Sequence, residues 1–186
     1  MQHDPDRRAV LKTFAAAGLG MIAATDPAAT AQIPPRAGKS VAGMAAPKLD
    51  TVRIGLVGVG GRGTSQLGEL LLLDGVAIKA ICDIVPAKVD HASDMVVKKG
   101  QPKPDAYTNG PEDFKRLCDR DDIDLVYICT PWRWHVPMAV DAMKKVKHAA
   151  VEVPAAVTLD ECWQLVDTSE ATQKHCVLLE NCCYSP

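Results

Sequence analysis

No apolar run in these 186 residues is long enough to cross a bilayer; the stretch Phe14–Ala24 reaches only 11, against the twenty or so that a spanning helix needs. Neither sign of charge dominates. Twenty-one Lys and Arg against 23 Asp and Glu leave a net charge of −2, which gives no electrostatic footprint for nucleic acid or an anionic membrane. No C-x-x-C pair and no clustered His are present, which excludes the usual zinc sites. No 20–50-residue repeat suggests a solenoid. Aromatics make up only 4%, so the pair Trp132 and Trp134 in one loop stands out. What is there is globular: 47% hydrophobic and 24% charged residues, enough for one ordinary domain and too little for two large ones.

The first 31 residues read as a targeting segment. Asp6-Arg7-Arg8-Ala9-Val10-Leu11-Lys12 resembles a twin-arginine export signal, with Val10 where Phe is usual. The apolar run follows, and Ala29-Thr30-Ala31 is an A-x-A cleavage pattern before Gln32. The expected location is therefore periplasmic or secreted. Residues 32–50, rich in Pro, Gly and Ala, read as a linker, and 51–186 as the folded domain. Seven Cys in an exported chain would ordinarily suggest disulfides. Here Cys82 and Cys129 sit inside apolar strand patterns, Cys182 and Cys183 are adjacent, and the count is odd. A twin-arginine route, which resembles transport of folded, cofactor-loaded proteins, is compatible with reduced thiols.

From residue 52 strand and helix patterns alternate. Strands are predicted over Val52–Val57, Ala77–Cys82, Leu125–Cys129, His148–Glu152 and Cys176–Leu179. Helices are predicted over 62–73, from Pro86 to about Lys99, over 111–118 and 136–145, and from the capping box Thr158-Leu-Asp-Glu161 to about Gln173. The segment from Gly100 to Asp105 reads as a loop. Apolar strands without polar alternation imply a sheet covered on both faces. Their alternation with helices implies parallel strands and right-handed crossovers. The fold class is α/β, a doubly wound, Rossmann-like parallel sheet.

The first strand runs into Gly58-Val-Gly60-Gly61-Arg62-Gly63, a G-x-G-x-x-G loop that opens a helix, and Asp83 stands 20 residues beyond Gly63 at the end of the second strand. That is a dinucleotide fingerprint in its required context. Gly58 permits the tight turn, Gly60 leaves room for a pyrophosphate, and Gly63 lets the helix pack on the sheet. Gly61 completes the loop, and the helix N-terminus offers unpaired N–H groups to phosphate. Asp83 is placed to accept the ribose hydroxyls and would repel a 2′-phosphate, which favours NAD over NADP. Arg62 is either a phosphate contact or a solvated loop cation.

Three more strand ends carry polar groups on the same edge, where open α/β sheets bind ligands. They are Cys129-Thr130-Pro131-Trp132-Arg133-Trp134-His135, then Glu152-Val153-Pro154-Ala155-Ala156, then Glu180-Asn181-Cys182-Cys183-Tyr184. Thr130, Pro131, Trp132, Trp134, His135 and Glu152 are candidate cofactor contacts, with His135 and Tyr184 as candidate catalytic groups facing substrate. Each has a structural alternative: the tryptophans as covers of the sheet edge, His135 as a helix-start packing residue, Glu152 as a satisfied buried carboxylate, Tyr184 as core.

Gly58–Gly63, Asp83, Thr130-Pro131 and Glu152-x-Pro154 together resemble the glucose–fructose oxidoreductase (Gfo/Idh/MocA) family. The narrower set Thr-Pro-Trp-x-Trp-His, Glu-Val-Pro-Ala-Ala and Glu-Asn-Cys-Cys-Tyr is similar to glycoside hydrolase family 109, the NAD-dependent α-N-acetylgalactosaminidases. The resemblance covers about residues 51–185. It implies bound NAD, a sugar substrate, and cleavage by transient oxidation at C3, loss of the C2 proton, elimination, hydration and return of the hydride. It also implies that Tyr184 lines the sugar site and that His135 and Glu152 lie near the nicotinamide or its ribose. Val153 stands where dehydrogenases of the broader family carry a proton-transferring Lys, which fits the glycosidase branch over a sugar dehydrogenase.

Two departures bear on the chain as it stands. Lys145-Val146-Lys147 replaces the family's usual Ala-Gly-Lys turn, so strain is expected at Val146. The sequence stops at Pro186, where the family's C-terminal substrate domain begins. A partial chain is therefore expected, without catalysis of its own and with an exposed apolar sheet edge, and a nucleotide-binding remnant is the alternative function from another class.

Overall fold

The computed structural model describes residues 39–180. The twin-arginine segment, residues 32–38 of the linker, and Asn181–Pro186 with Tyr184 lie outside the described residues.

Six parallel strands form the sheet. In chain order the elements are β1 (Val52–Val57), α1 (Gly61–Leu70), β2 (Val76–Cys82), α2 (Pro86–Lys98), β3 (Asp105–Tyr107), α3 (Phe114–Cys118), β4 (Leu125–Ile128), a 3-10 turn (Trp132–Trp134), α4 (His135–Lys144), β5 (His148–Val151), α5 (Leu159–Thr172) and β6 (Cys176–Leu178). The strand order is β3-β2-β1-β4-β5-β6. It reverses direction between β1 and β4, so the loops leaving those neighbours diverge to opposite faces and open a crevice.

Local signals explain most boundaries. Pro86 occupies the first turn of α2. At α5, Glu161 N–H donates to Thr158 Oγ1 at 3.2 Å while Thr158 N–H donates to Glu161 Oε2 at 3.1 Å. The expected capping box is therefore formed. The sequence reading has five strands and omits β3, placing a loop up to Asp105. This edge strand has three residues and is fixed by pairing of Ala80 with Asp105 and Cys82 with Tyr107. Arg120, from beyond α3, bonds Asp105 and, at 3.2 Å, Tyr107 Oη. Nothing in so short a segment announces such distant partners.

Both sheet faces are covered. One core gathers Val57, Cys82, Val126 and Ile128 against Phe114, Leu117, Ala139 and Met143 from α3 and α4. The other gathers Ile54, Leu56 and Ile81 against Leu67, Val89 and Val96 from α1 and α2. On β6, Val177 and Leu178 are each 43% exposed.

Register aligns the carboxyl ends. Val57 pairs with both Cys82 and Ile128, Ile128 with Val151, and Val151 with Leu178. The segments following five strands therefore start from a common level.

Candidate functional site: the carboxyl edge of the sheet

The glycine loop divides into closed and open positions. Gly58 has φ +87°, and a Cβ there would stand 2.7 Å from the Cys129 carbonyl oxygen. A Cβ on Gly63 would stand 1.9 Å from the Gly58 carbonyl oxygen. These two glycines let strand, loop and helix touch. Gly60 and Gly61 face outward, and nothing lies within 4 Å of a Cβ on Gly61. The open half of the loop coincides with the N-terminus of α1, where backbone N–H groups lack helical partners. This is a cradle that an anionic group can enter.

Asp83 is held beside it. Val59 N–H donates to one carboxylate oxygen and Val85 N–H to the other, both at 2.9 Å. Each oxygen keeps acceptor capacity for a hydroxyl. The same carboxylate thus ties the glycine loop to the start of α2.

Arg62 is tied to the sheet edge through one nitrogen, while its side chain stays 44% exposed. Its Nε donates to Glu152 Oε1 at 2.9 Å, an ion pair joining α1 to the segment after β5 across 90 positions of sequence. The Glu152 side chain is 6% exposed. This bond holds the Arg62 guanidinium more firmly protonated than usual.

His135 lies beneath the edge. It is 1% exposed. Its Nδ1 lies 2.7 Å from the Pro154 carbonyl oxygen and its Nε2 2.7 Å from that of Thr130. The ring lies between the segments after β4 and β5, each nitrogen facing a backbone carbonyl, and an imidazole with one N–H donates to one of them. It is a positioning residue. The tryptophans part company: Trp134 packs edge-on to Phe114, centroids 6.2 Å apart, whereas Trp132 is 62% exposed on the rim. Thr130 Oγ1 donates to Met138 Sδ at 3.5 Å, and Pro131 precedes the 3-10 turn.

Two further groups beneath the site are chemically quiet. Burial pushes the Cys129 thiol up to about 12 and raises the Tyr127 phenol as well. Tyr127 Oη donates to Gln66 Oε1 at 2.9 Å under α1, a buried bond the sequence reading did not find. The described cysteines, 82, 118, 129, 162 and 176, are all unbridged. Among the described residues no group of three or more His, Cys, Asp or Glu is arranged to hold a metal ion.

Residues 52–180 match the family described as "Oxidoreductase family, NAD-binding Rossmann fold", Gfo/Idh/MocA. The chain belongs to this family. Within the Gfo/Idh/MocA family it is similar to a glycosyl hydrolase family 109 protein of Shewanella pealeana, at 48% identity over 96% of this chain and 40% of the relative. It is 47% identical to an α-N-acetylgalactosaminidase of Shewanella oneidensis, over 98% of this chain and 40% of that protein. The chain thus spans 40% of the length of these relatives. Among solved structures, a scyllo-inositol dehydrogenase from Lactobacillus casei with bound NAD(H) and scyllo-inositol superimposes with a TM-score of 0.63 at 22% identity, over 73% of this chain and 38% of that one. The shared fold is the family's nucleotide-binding sheet. The division of the Gly58–Gly63 loop, the seat of Asp83 and the His135 bridge are how this member builds that sheet's edge.

Proposed function

We propose that this chain is the NAD-holding domain of an exported NAD-dependent glycosidase acting on α-N-acetylgalactosaminides. The observation that carries the cofactor assignment is the open half of the glycine loop beside a carboxylate whose two oxygens still accept bonds. When bound, the nicotinamide supplies reversible hydride transfer at the sugar ring. The chain's own residues bind and orient. The N–H groups at the start of α1 receive the diphosphate, and Asp83 receives the ribose hydroxyls, disfavouring a 2′-phosphate. His135 keeps the segments after β4 and β5 together, and Arg62 fixes the Glu152 carboxylate at the edge.

The glycosidase assignment is supported by the 47–48% identity to proteins so described. It is supported also by Val153, which carries no proton where a dehydrogenase of this scaffold needs one. A sugar dehydrogenase on the same scaffold is the competing reading. Net accumulation of NADH with a free sugar would favour it. The export proposal rests on the Arg7-Arg8 pattern: replacing both by Lys should retain a reporter fusion in the cytoplasm.

Calorimetry tests the cofactor reading directly. The 186-residue chain should bind NAD, and Asp83→Ala should weaken it at least tenfold by removing the ribose acceptor. A wild-type chain that takes up no NAD would end the assignment. Because the chain spans 40% of its relatives, it should bind NAD without turnover. Release of the aglycone from an aryl α-N-acetylgalactosaminide by this chain alone would refute that.

A further inference from the structure

A dinucleotide brings two negative charges on its diphosphate, and the start of α1 offers about half a positive charge. Arg62 is the loop's own cation, and its Nε is held by Glu152. That bond restricts where the guanidinium can reach, since moving it away would leave the Glu152 carboxylate, 6% exposed, without its counter-ion. A second cation reaches the loop from the other side. At Gly60, the N-cap of α1, a Cβ would meet Lys88 Nζ at 4.0 Å. Lys88 stands in the first turn of α2, its N–H donating to the Val85 carbonyl at 3.0 Å. It forms no ion pair among the described residues, whereas Lys79, Lys115 and Lys145 each hold a carboxylate. Its placement is not accidental to the loop. Asp83 bonds Val59 just before Gly60 and Val85 three residues before Lys88, so one carboxylate sets the distance between the glycine loop and the turn that carries the ammonium.

We infer that Lys88 is a side-chain cation that pairs with the cofactor's diphosphate. This rests on the NAD reading above. The ammonium closes the open side of the cradle, opposite the Arg62–Glu152 pair, and acts as a point charge on phosphate oxygens. It adds attraction that salt weakens.

The test measures binding to the 186-residue chain by calorimetry, with NAD, ADP and NADP, and by NMR titration with adenosine. Lys88→Met removes the charge and keeps the stem; Lys88→Arg restores a charge. Lys88→Met should weaken NAD and ADP about tenfold, leave adenosine unchanged, and flatten the salt dependence of NAD binding. Lys88→Arg should recover most of the affinity. Unchanged NAD affinity in Lys88→Met would overturn the inference. So would an equal loss for adenosine, which would mean a disturbed fold, or a loss confined to NADP, which would place the ammonium at a 2′-phosphate. If the wild-type chain binds none of the nucleotides, the NAD reading itself falls and takes this inference with it. If wild type binds and the variants match it, only the Lys88 assignment falls.

Discussion

Replacing Val146 by glycine should stabilise the domain, and the size of the gain follows from one turn. Val146 closes α4 at φ 65°, in the left-handed region that a β-branched side chain enters at a cost of about 1–2 kcal/mol. Its N–H donates to the Met143 carbonyl at 3.0 Å and the next N–H, of Lys147, to the Ala142 carbonyl at 2.9 Å. This is the Schellman pairing, in which the left-handed position favours glycine. The side chain is 67% exposed, so little burial is lost with it. Against the relieved strain stands glycine's extra freedom in the unfolded chain, about 0.4–1 kcal/mol. The net expectation is about 0.5–1 kcal/mol, or about 1–4 °C in Tm for a domain of this size. Gln173 is the control. It too is left-handed, at φ 52°, but its Nε2 donates to the carbonyls of Glu170 at 2.8 Å and Lys39 at 2.9 Å. Gln173→Gly therefore exchanges strain for two bonds and should gain less. Thermal unfolding by circular dichroism reads both. A Tm for Val146→Gly at or below that of the parent would refute the reasoning, as would a larger gain at Gln173.

Other outcomes follow from the same edge and its supports. His135→Ala should cost about 2–4 kcal/mol in denaturant unfolding, since a buried carbonyl loses its donor and a cavity opens; a loss under 1 kcal/mol would show that the ring does not hold the two segments. Asp124 is held below the usual carboxylate range, first by its hydrogen bond from Arg53. Its contribution is thus fully present above the unfolded value near 3.8 and lost as pH falls towards the lower folded one. Asp124→Asn should flatten the decline of stability below about pH 4, and an unchanged acid limb would contradict the pairing. Burial holds Cys82 and Cys129 up at about 12, whereas Cys162 is exposed. Brief alkylation of the folded chain at pH 8, mapped by mass spectrometry, should label Cys162 and spare the other two.

The parts of this site that were legible in the sequence are those whose cause is local. A strand, a glycine loop and a helix occupy consecutive residues, so Gly58–Gly63 declares itself, and Asp83 follows at the distance a βα unit fixes. The Thr158–Glu161 box closes within four residues. The strain at Val146 was visible because the family that the sequence resembles usually has glycine in that turn. What escaped depends on partners brought together only by the sheet. Arg62 finds Glu152 ninety positions away. His135 has its ring nitrogens on carbonyls of two different strand exits. Tyr107 and Asp105 become a strand only against β2. Lys88 lies on a helix that the sequence places correctly, yet its proximity to Gly60 depends on the angle at which α2 leaves β2.

These non-local contacts also decide what kind of chemistry the described edge can support. A proton carrier needs a group that titrates near neutrality and reaches the substrate. Cys129 is held near 12 and Tyr127 is raised, both by burial. His135 is buried with its ring nitrogens facing two backbone carbonyls, Glu152 is ion-paired, and Val153 carries no titratable group. The groups left unoccupied are of another sort: the backbone at Gly60 and Gly61, the spare acceptor capacity of Asp83, and the Lys88 ammonium. All three suit a polyhydroxylated, doubly anionic ligand and none suits general acid–base work. The described edge thus suits the holding of a dinucleotide, as the cofactor reading proposed above requires.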